Sequence, residues 1–465
     1  MYTRCPLNHD SKPATSPADW AAARRSACPG LVRVVTARDG GLCRIRLPGG
    51  ALPATQAHAM AEAALAHAHG TLELTNRANI QIRGIRTGSE AALTAALVAA
   101  GLGPSMAASE GADLSTADEL RNLMLSPLAG LDPDALIDTT TLTAPLVAML
   151  QGEPRFAALS PKFAMLIDGG ERLAALDHPH DIWLAAAPHD DGVRFMFGLA
   201  GCPDDGAIGS IAATHAATLI HALLHAFLDL AQPGETRMRE VVAAHGVPAV
   251  LQQAQRHARI DIERVDNWRR TRVDLGLRLG VHSLNADENG AAGYVGCQPP
   301  LARLDAATLH GLATLAQTHA DGMLRITPWQ GAILPNVPQH AMPDALKRLQ
   351  ALGLITDDAN PLARTIACTG SAGCAKSRAD TKADALQLAA HLPRDTHVHL
   401  SGCERSCAAA HCAPFTLLAV APGEYDLYER DAHMASFGRL VARHLTIEAA
   451  ARLLNPQRAA APEHS

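Results

Sequence analysis

The chain repeats itself. A helical stretch running from Pro53 to His69-Gly70 is followed by the strand Thr71-Leu72-Glu73-Leu74-Thr75. A second stretch from Asp305 to Asp321-Gly322 is followed by Met323-Leu324-Arg325-Ile326-Thr327. Thr75 and Thr327 set an offset of 252 residues, and the same offset carries Ala57, Met60, Ala61 and Ala64 onto Leu309, Leu312, Ala313 and Ala316. Those positions fall at i, i+3, i+4 and i+7, the spacing that lays one apolar stripe of a helix on a sheet. Gly101-Leu102 and Gly353-Leu354 keep the register. An offset held over about sixty residues predicts a duplicated strand–helix–strand unit folded as a pseudo-twofold pair.

The two copies differ in their chemistry. In the first, Arg44-Ile45-Arg46-Leu47 alternates like a strand ahead of the helix, which puts Arg44 and Arg46 on one face. After Thr75 comes Asn76-Arg77-Ala78-Asn79-Ile80-Gln81-Ile82-Arg83. A period of two gives Arg77, Asn79, Gln81 and Arg83 a common face opposite Ile80 and Ile82. Guanidinium and amide groups mixed on one face suit carboxylate recognition. The equivalent stretch after Thr327, Pro328-Trp329-Gln330-Gly331, has no basic face.

The second copy instead has paired cysteines. Cys368 and Cys374 form a C-x5-C loop rich in small residues, and Cys403 and Cys407 form a C-x3-C loop. Four thiolates on two tight loops satisfy a [4Fe–4S] cluster. Zinc is the competing metal, although its paired cysteines usually sit closer together. Buried thiols are the third reading, and spacing alone leaves all three open. A site between the copies would set an anionic ligand against a redox centre.

Composition narrows the function classes. At 465 residues the chain has room for two or three domains, and 48% hydrophobic with 18% charged residues describes a globular protein. A formal charge of −6 argues against a nucleic-acid partner. The apolar stretch Ser210 to Ala231 is interrupted by His215, His221, His225 and Asp229, so it is expected as a buried helix rather than a membrane span. No apolar export segment follows Met1, and ten cysteines then point to a cytoplasmic protein using thiols for metal chemistry. Cys43, Cys202 and Cys297 are expected to be small buried hydrophobes, Cys412 to pack in a core, and Cys5 to lie in a tail.

Several stretches together resemble the nitrite/sulfite reductase superfamily. Leu74-Thr75-Asn76-Arg77-Ala78-Asn79-Ile80-Gln81 is similar to its tetrapyrrole-carboxylate motif, and Arg121-Asn122 to the arginine–asparagine pair on the next strand. Leu159-Ser160-Pro161-Lys162-Phe163-Ala164 resembles its lysine strand, and the cysteine loops, with Gly402 before Cys403, resemble its cluster motif. Arg44 to Gly50 looks like the opening strand of its first repeat. The resemblance implies an α+β fold with duplicated ferredoxin-like half-domains related by a pseudo-twofold plus two α/β domains. The expected division is a tail at 1–27, a first half-repeat at 28–100, an α/β domain with connecting helices at 101–275, a second half-repeat at 276–350, an iron–sulfur α/β domain at 351–455, and a tail at 456–465.

By the same resemblance, Cys368, Cys374, Cys403 and Cys407 hold a [4Fe–4S] cluster. Arg77, Asn79, Arg83, Arg121, Asn122 and Lys162 bind a tetrapyrrole, with Arg44 and Arg46 in reserve. One departure is informative: the reductases carry a second lysine two residues after the first, and this chain has Ala164. Ala27-Cys28-Pro29-Gly30-Leu31 followed by Asp39-Gly40-Gly41-Leu42 is similar to the opening of a branch acting on precorrin-3A in aerobic cobalamin biosynthesis. That branch implies a mono-oxygenase in which the tetrapyrrole is substrate, O2 is consumed, and an external NAD(P)H-linked donor supplies electrons. A mononuclear non-haem iron is then the expected oxygen-activating centre. Its ligands are not assignable from sequence; His178-Pro179-His180, beside Asp177 and Asp181, and His397-Val398-His399 are the nearest patterns, and ordinary surface histidines explain both. Two alternatives stand: a sirohaem-dependent sulfite or nitrite reductase, and a non-catalytic tetrapyrrole-binding electron-transfer protein.

Overall fold

The computed structural model describes residues 28–104, 114–271, 273–284, 292–409, 413–431, 434 and 436–455. The expected terminal tails, Cys5 and Cys412 lie outside them. The described residues build four five-stranded sheets. The first half-domain orders its strands Val35–Ala37, Gly40–Ile45, Ile80–Ile85, Thr71–Leu74 and Arg303–Asp305. The second orders them Gly280–Ser283, Ala292–Cys297, Ala332–Pro338, Met323–Ile326 and Ala51–Pro53.

Each sheet therefore ends on a strand borrowed from the other copy. Ala51–Pro53 pairs antiparallel with Met323, Leu324 and Arg325, and Arg303–Asp305 pairs antiparallel with Thr71, Leu72 and Glu73. The exchange satisfies two edges that would otherwise present open backbone groups. It obeys the 252-residue offset, as do the helices Ala54–His67 and Ala306–His319. All eight residues of the predicted stripes are buried in one core with Leu52 and Leu304. The halves share that core and are not independent units.

The two remaining sheets also match each other. In the first α/β domain, Leu123–Leu125, Met165–Asp168 and His180–His189 run parallel, and Gly192–Gly201 and Gly209–Ala212 return antiparallel. In the second, Thr365–Ala367, Val398–Ser401 and Phe415–Ala421 run parallel before Glu424–Glu429 and Arg439–Leu445. Duplication thus extends through the whole fold. The stretch Ser210–Ala231 divides into the end of a strand and the helix Ala216–Leu230, whose inward side is fully buried. Among the described residues no helix is long and apolar enough to cross a membrane.

Two local expectations need correction. Arg46 and Leu47 lie beyond the end of the strand Gly40–Ile45. Arg77 and Asn79 are not on a strand face; they sit in the turn that precedes Ile80–Ile85. The cause is Thr75, whose Oγ1 accepts from the N–H groups of Arg77 and Asn79 at 3.3 and 3.1 Å. Ala78 is left at φ 53. A side chain that captures two backbone donors ends the extended run that alternation assumes. Gln81 and Arg83 keep the predicted face.

Candidate functional site

Strands Thr365–Ala367 and Val398–Ser401 are neighbours and parallel, so the chain leaves both at the same edge and brings Cys368 beside Cys403. The N–H of Gly402 donates to Cys368 Sγ at 3.2 Å, and Thr381 Oγ1 lies 3.3 Å from the same sulfur. Arg378 N–H donates to the Gly402 carbonyl at 2.9 Å and ties the loops together. Gly370, at φ 75, has no room for a side chain: a Cβ would meet Thr381 N at 2.9 Å.

The four thiols feel one another. Burial raises the Cys403 thiol, and the neighbouring Cys368 and Cys374 add to it. Cys407 is exposed, yet desolvation by its surroundings followed by the charges of Cys403, Cys368 and Cys374 pushes its thiol up to about 11. Such a group holds its protons tightly unless a cation replaces them. No three of the four sulfurs close to within 4.8 Å of one another, as donors to a single zinc ion would. The N–H···S bond to Cys368 and the wide sulfur spacing fit a [4Fe–4S] cluster. Cys43 and Cys297, by contrast, are buried thiols pushed up to about 12 by desolvation, inert as expected.

The first copy holds this loop through Glu73. Its carboxylate accepts from Arg303 at 2.7 Å and from Thr369 Oγ1 at 2.8 Å, with Lys382 and Arg83 each at 3.6 Å. Burial would raise this carboxyl, but Lys382, Arg83 and Arg303 overcome it and hold the group at about 2. Arg83 also grips Asp39 through two bonds of 2.9 and 3.0 Å and donates to the Gly373 carbonyl at 3.0 Å. A Cβ on Gly373 would lie 2.6 Å from that guanidinium, so a larger residue here must displace Arg83 from its bonds.

Beside the loop lies a cluster of cations. Arg77 Nη1 donates to the Lys162 carbonyl at 3.2 Å. Burial and then Arg237 push Arg77 down to about 10, against the pull of Asp181. Lys162 is lowered by burial, with Cys28 opposing and Arg237 and Arg77 contributing. Arg44 is lowered by burial and Arg46, while the Cys28 and Cys407 charges act the other way. Arg44 of the first copy and Cys407 of the second therefore share one electrostatic neighbourhood. With its carbonyl turned toward Arg44, the Gln81 amide accepts from that guanidinium at 2.7 Å.

The predicted residues divide by role. Arg77 and Lys162 belong to the cation cluster. Arg83 is a clamp on the cysteine loop, and its guanidinium is occupied by protein carboxylates. Asn79 Oδ1 accepts from the Leu47 N–H at 2.8 Å. Asn122 accepts from Arg46 at 3.1 Å and donates to the Pro161 carbonyl at 2.7 Å, so both asparagines brace the backbone. Arg46 is fully buried and paired with Asp118 at 2.9 Å, and Arg121 lies 3.6 Å from the same carboxylate. Neither His178/His180 nor His397/His399 gathers with a carboxylate into a three-donor group.

The sequence reading missed Arg237, and named Asp181 only as a neighbour of the His178–His180 pair. Arg237 Nε donates to both Asp181 oxygens at 2.9 and 3.0 Å, and Asp181 also accepts from Ala164 N–H at 2.9 Å and Met238 N–H at 2.9 Å. Burial would lower Arg237, but the charge and hydrogen bond of Asp181, together with Glu240 and Cys28, overcome it and raise the group. Burial, Arg77 and His178 hold His180 well below its ordinary range, so it stays neutral among these cations.

Comparison with known proteins agrees with this architecture. The nitrite/sulfite reductase ferredoxin-like half domain matches residues 36–100 and 286–352, and the nitrite and sulphite reductase 4Fe-4S domain matches 116–261. The latter match falls on the first α/β domain; the four cysteines lie in the second, which has the same strand topology. A ferredoxin–nitrite reductase from maize is 29% identical over 406 residues, covering 80% of this chain and 68% of that one. A precorrin-3B synthase from Sinorhizobium is 27% identical over 434 residues, covering 92% and 86%. The structure of Mycobacterium tuberculosis NirA superposes with a TM-score of 0.74 at 20% identity over 91% of this chain and 82% of that one, which establishes the fold.

Proposed function

The chain belongs to the nitrite and sulfite reductase superfamily, and from that premise we propose that it acts as a precorrin-3B synthase in the cytoplasm. The reaction hydroxylates precorrin-3A at C20 and closes a γ-lactone from the ring A acetate. One oxygen atom of O2 enters the product and the other leaves as water, with two electrons and two protons supplied by an NAD(P)H-linked donor.

Ala164 carries this reading. The reductases place a second lysine there to help protonate a small oxyanion, and its loss weakens the site for that task. Here the Ala164 N–H is bonded to Asp181, which presents Arg237 instead. Arg44, Arg77, Lys162 and Arg237 outnumber their local carboxylate, and burial, with neighbouring cations adding to it, lowers Arg44, Arg77 and Lys162. A polycarboxylate relieves that surplus. Each desolvated charge-assisted contact to an acetate or propionate arm contributes about 1.5–3 kcal/mol. Several together fix the macrocycle and so direct oxidation to one meso carbon.

Cys368, Cys374, Cys403 and Cys407 would hold the cluster, which supplies electrons one at a time when bound. A mononuclear non-haem iron, if bound, would supply the oxygen activation that a cluster ligated by four cysteines does not. The decisive experiment is anaerobic incubation with precorrin-3A and an excess of chemical reductant, followed by O2 and mass analysis: a product one oxygen heavier is expected, and unchanged precorrin-3A overturns the assignment.

The nitrite reductases match with identity as high as that of the precorrin-3B synthase, which keeps a sirohaem-dependent reductase as the second reading. Absorption spectroscopy separates the two. A sirohaem band with a strong red feature supports the reductase; a broad brown iron–sulfur absorption alone supports the mono-oxygenase.

A further inference from the structure

The cluster-free α/β domain contains a second group of metal donors. His221 and His225 are four residues apart on the helix Ala216–Leu230, so their imidazoles lie on one stripe. Leu219, Ile220, Leu223 and Phe227 of the same helix supply the core contact, which leaves the histidine stripe outside it. The chain leaves the helix Thr143–Gly152 at Glu153 and brings that carboxylate over the two rings. One donor atom from each of Glu153, His221 and His225 lies within 4.8 Å of the others, and all three residues are half-buried. Among the described residues no other set of histidine, cysteine and carboxylate groups is arranged this way.

We propose that Glu153, His221 and His225 form a mononuclear site for a divalent first-row transition metal. Two imidazole nitrogens and one carboxylate oxygen are a borderline donor set that suits Fe2+ or Zn2+, and three protein ligands leave coordination positions open. The surroundings hold the donors in place. Phe156 packs against both imidazoles, with ring centroids 5.6 and 4.9 Å away, and His257 stacks on His225 at 4.9 Å. Glu153 Oε1 accepts from the Arg155 N–H at 3.1 Å, while Oε2 lies 3.9 Å from His225 Nε2. The helix Ile447–Leu454, which follows the last strand of the second α/β domain, has no histidine. Each copy of the domain thus has its own donor chemistry: thiolates in one, imidazoles in the other.

Arg155 is a built-in competitor. Its Nη1 lies 3.2 Å from His225 Nδ1, and its Nη2 pairs with Asp229. An ion on Nε2 requires the proton to sit on Nδ1, which then cannot accept from a guanidinium. Metal binding therefore breaks the Arg155–His225 contact and leaves Arg155 on Asp229. Removing Arg155 should strengthen the site.

The test uses holoprotein with its cluster in place. Anaerobic samples are incubated with Fe2+ or Zn2+ alone and desalted, and metal per chain is measured with acid-labile sulfide, so that cluster iron is subtracted. One additional equivalent is expected. His221→Ala/His225→Ala and, separately, Glu153→Ala should weaken that binding at least ten-fold with the cluster absorption unchanged, and Arg155→Ala should tighten it. If the histidine variant does not fold, Glu153→Ala and Arg155→Ala carry the test. No additional equivalent in the parent protein overturns the proposal, as does an equivalent whose affinity is unmoved by Glu153→Ala and Arg155→Ala. Neither result depends on turnover of precorrin-3A, so it stands or falls separately from the proposed reaction.

Discussion

Arg237 holds Asp181 through one nitrogen, Nε, which contacts both carboxylate oxygens at 2.9 and 3.0 Å. The same carboxylate anchors the Ala164 backbone at 2.9 Å. Position 164 is thereby tied to an arginine brought from a different element. Arg237→Gln should weaken binding of precorrin-3A by about ten- to a hundred-fold, the worth of one desolvated charge-assisted contact. The cluster spectrum should be unchanged. Spectroscopic titration under anaerobic conditions measures the affinity, and binding equal to the parent would remove Arg237 from the site.

Arg77→Ala tests the same cluster from the first copy. Arg77 is pushed down by burial and by Arg237, so its removal lightens a crowded set of charges while taking away a ligand contact. Thermal stability is expected to stay level or rise slightly, and precorrin-3A affinity to fall. A variant that loses stability and keeps affinity would make Arg77 a structural residue.

Glu73 predicts an acid limit. Its carboxyl is held at about 2 in the folded protein against an ordinary 4.5. A depressed folded value means the ionised form favours folding, so this contribution is complete above about pH 5 and is lost as pH falls from there toward 2. The difference corresponds to about 3 kcal/mol. Glu73→Gln should lower stability at pH 7 by a similar amount, leave Arg83, Arg303 and Lys382 without their shared partner, and flatten the acid side of the stability profile. Denaturant unfolding across pH 3–7 checks both effects; parallel profiles for parent and variant would refute the assignment.

Cys403→Ala should abolish the cluster, because one iron is left open and labile. Cys43→Ala removes a buried thiol outside the loops and should leave iron and sulfide content unchanged. Metal and sulfide analysis of the two proteins separates ligand from core thiol, and a full complement in Cys403→Ala would disprove the ligand set.

Leu52 and Leu304 are related by the 252-residue offset, and each sits in the middle of an exchanged strand, buried in the shared core. Leu52→Ala and Leu304→Ala should each cost about 2–5 kcal/mol. Because both strands serve one core, either variant should destabilise both half-domains in a single cooperative transition. Two separate transitions would contradict a common core.

The repeat was readable because its helical stripes and strand ends preserve one offset, and burial enforces that spacing. The exchange of Ala51–Pro53 for Arg303–Asp305 was not, since three-residue strands show no periodicity. Alternation misplaced Arg77 and Asn79 because it ignores a threonine able to bond the backbone, as Thr75 does. The type of residue at Arg83, Asn79 and Asn122 pointed to polar recognition, and the polar partners proved to be protein groups. Asp181 and Arg237 are separated by two antiparallel strands and a helix, and nothing in the local pattern distinguishes that arginine from a solvated one. The four cysteines stood out because close sulfur spacing has few other uses.

The crossed edge strands impose an order on biosynthesis. While the ribosome has released only the first copy, its sheet lacks the closing strand Arg303–Asp305, and Glu73 lacks Arg303, Thr369 and Lys382. A nascent chain interrupted before residue 305 exposes an open edge, a liability for aggregation. The cysteine loop likewise finds its clamp, Arg83 with Asp39, in the segment made first. Iron and sulfide therefore have a finished receptacle late in translation, after the C-terminal domain has docked onto a partner synthesised some three hundred residues earlier.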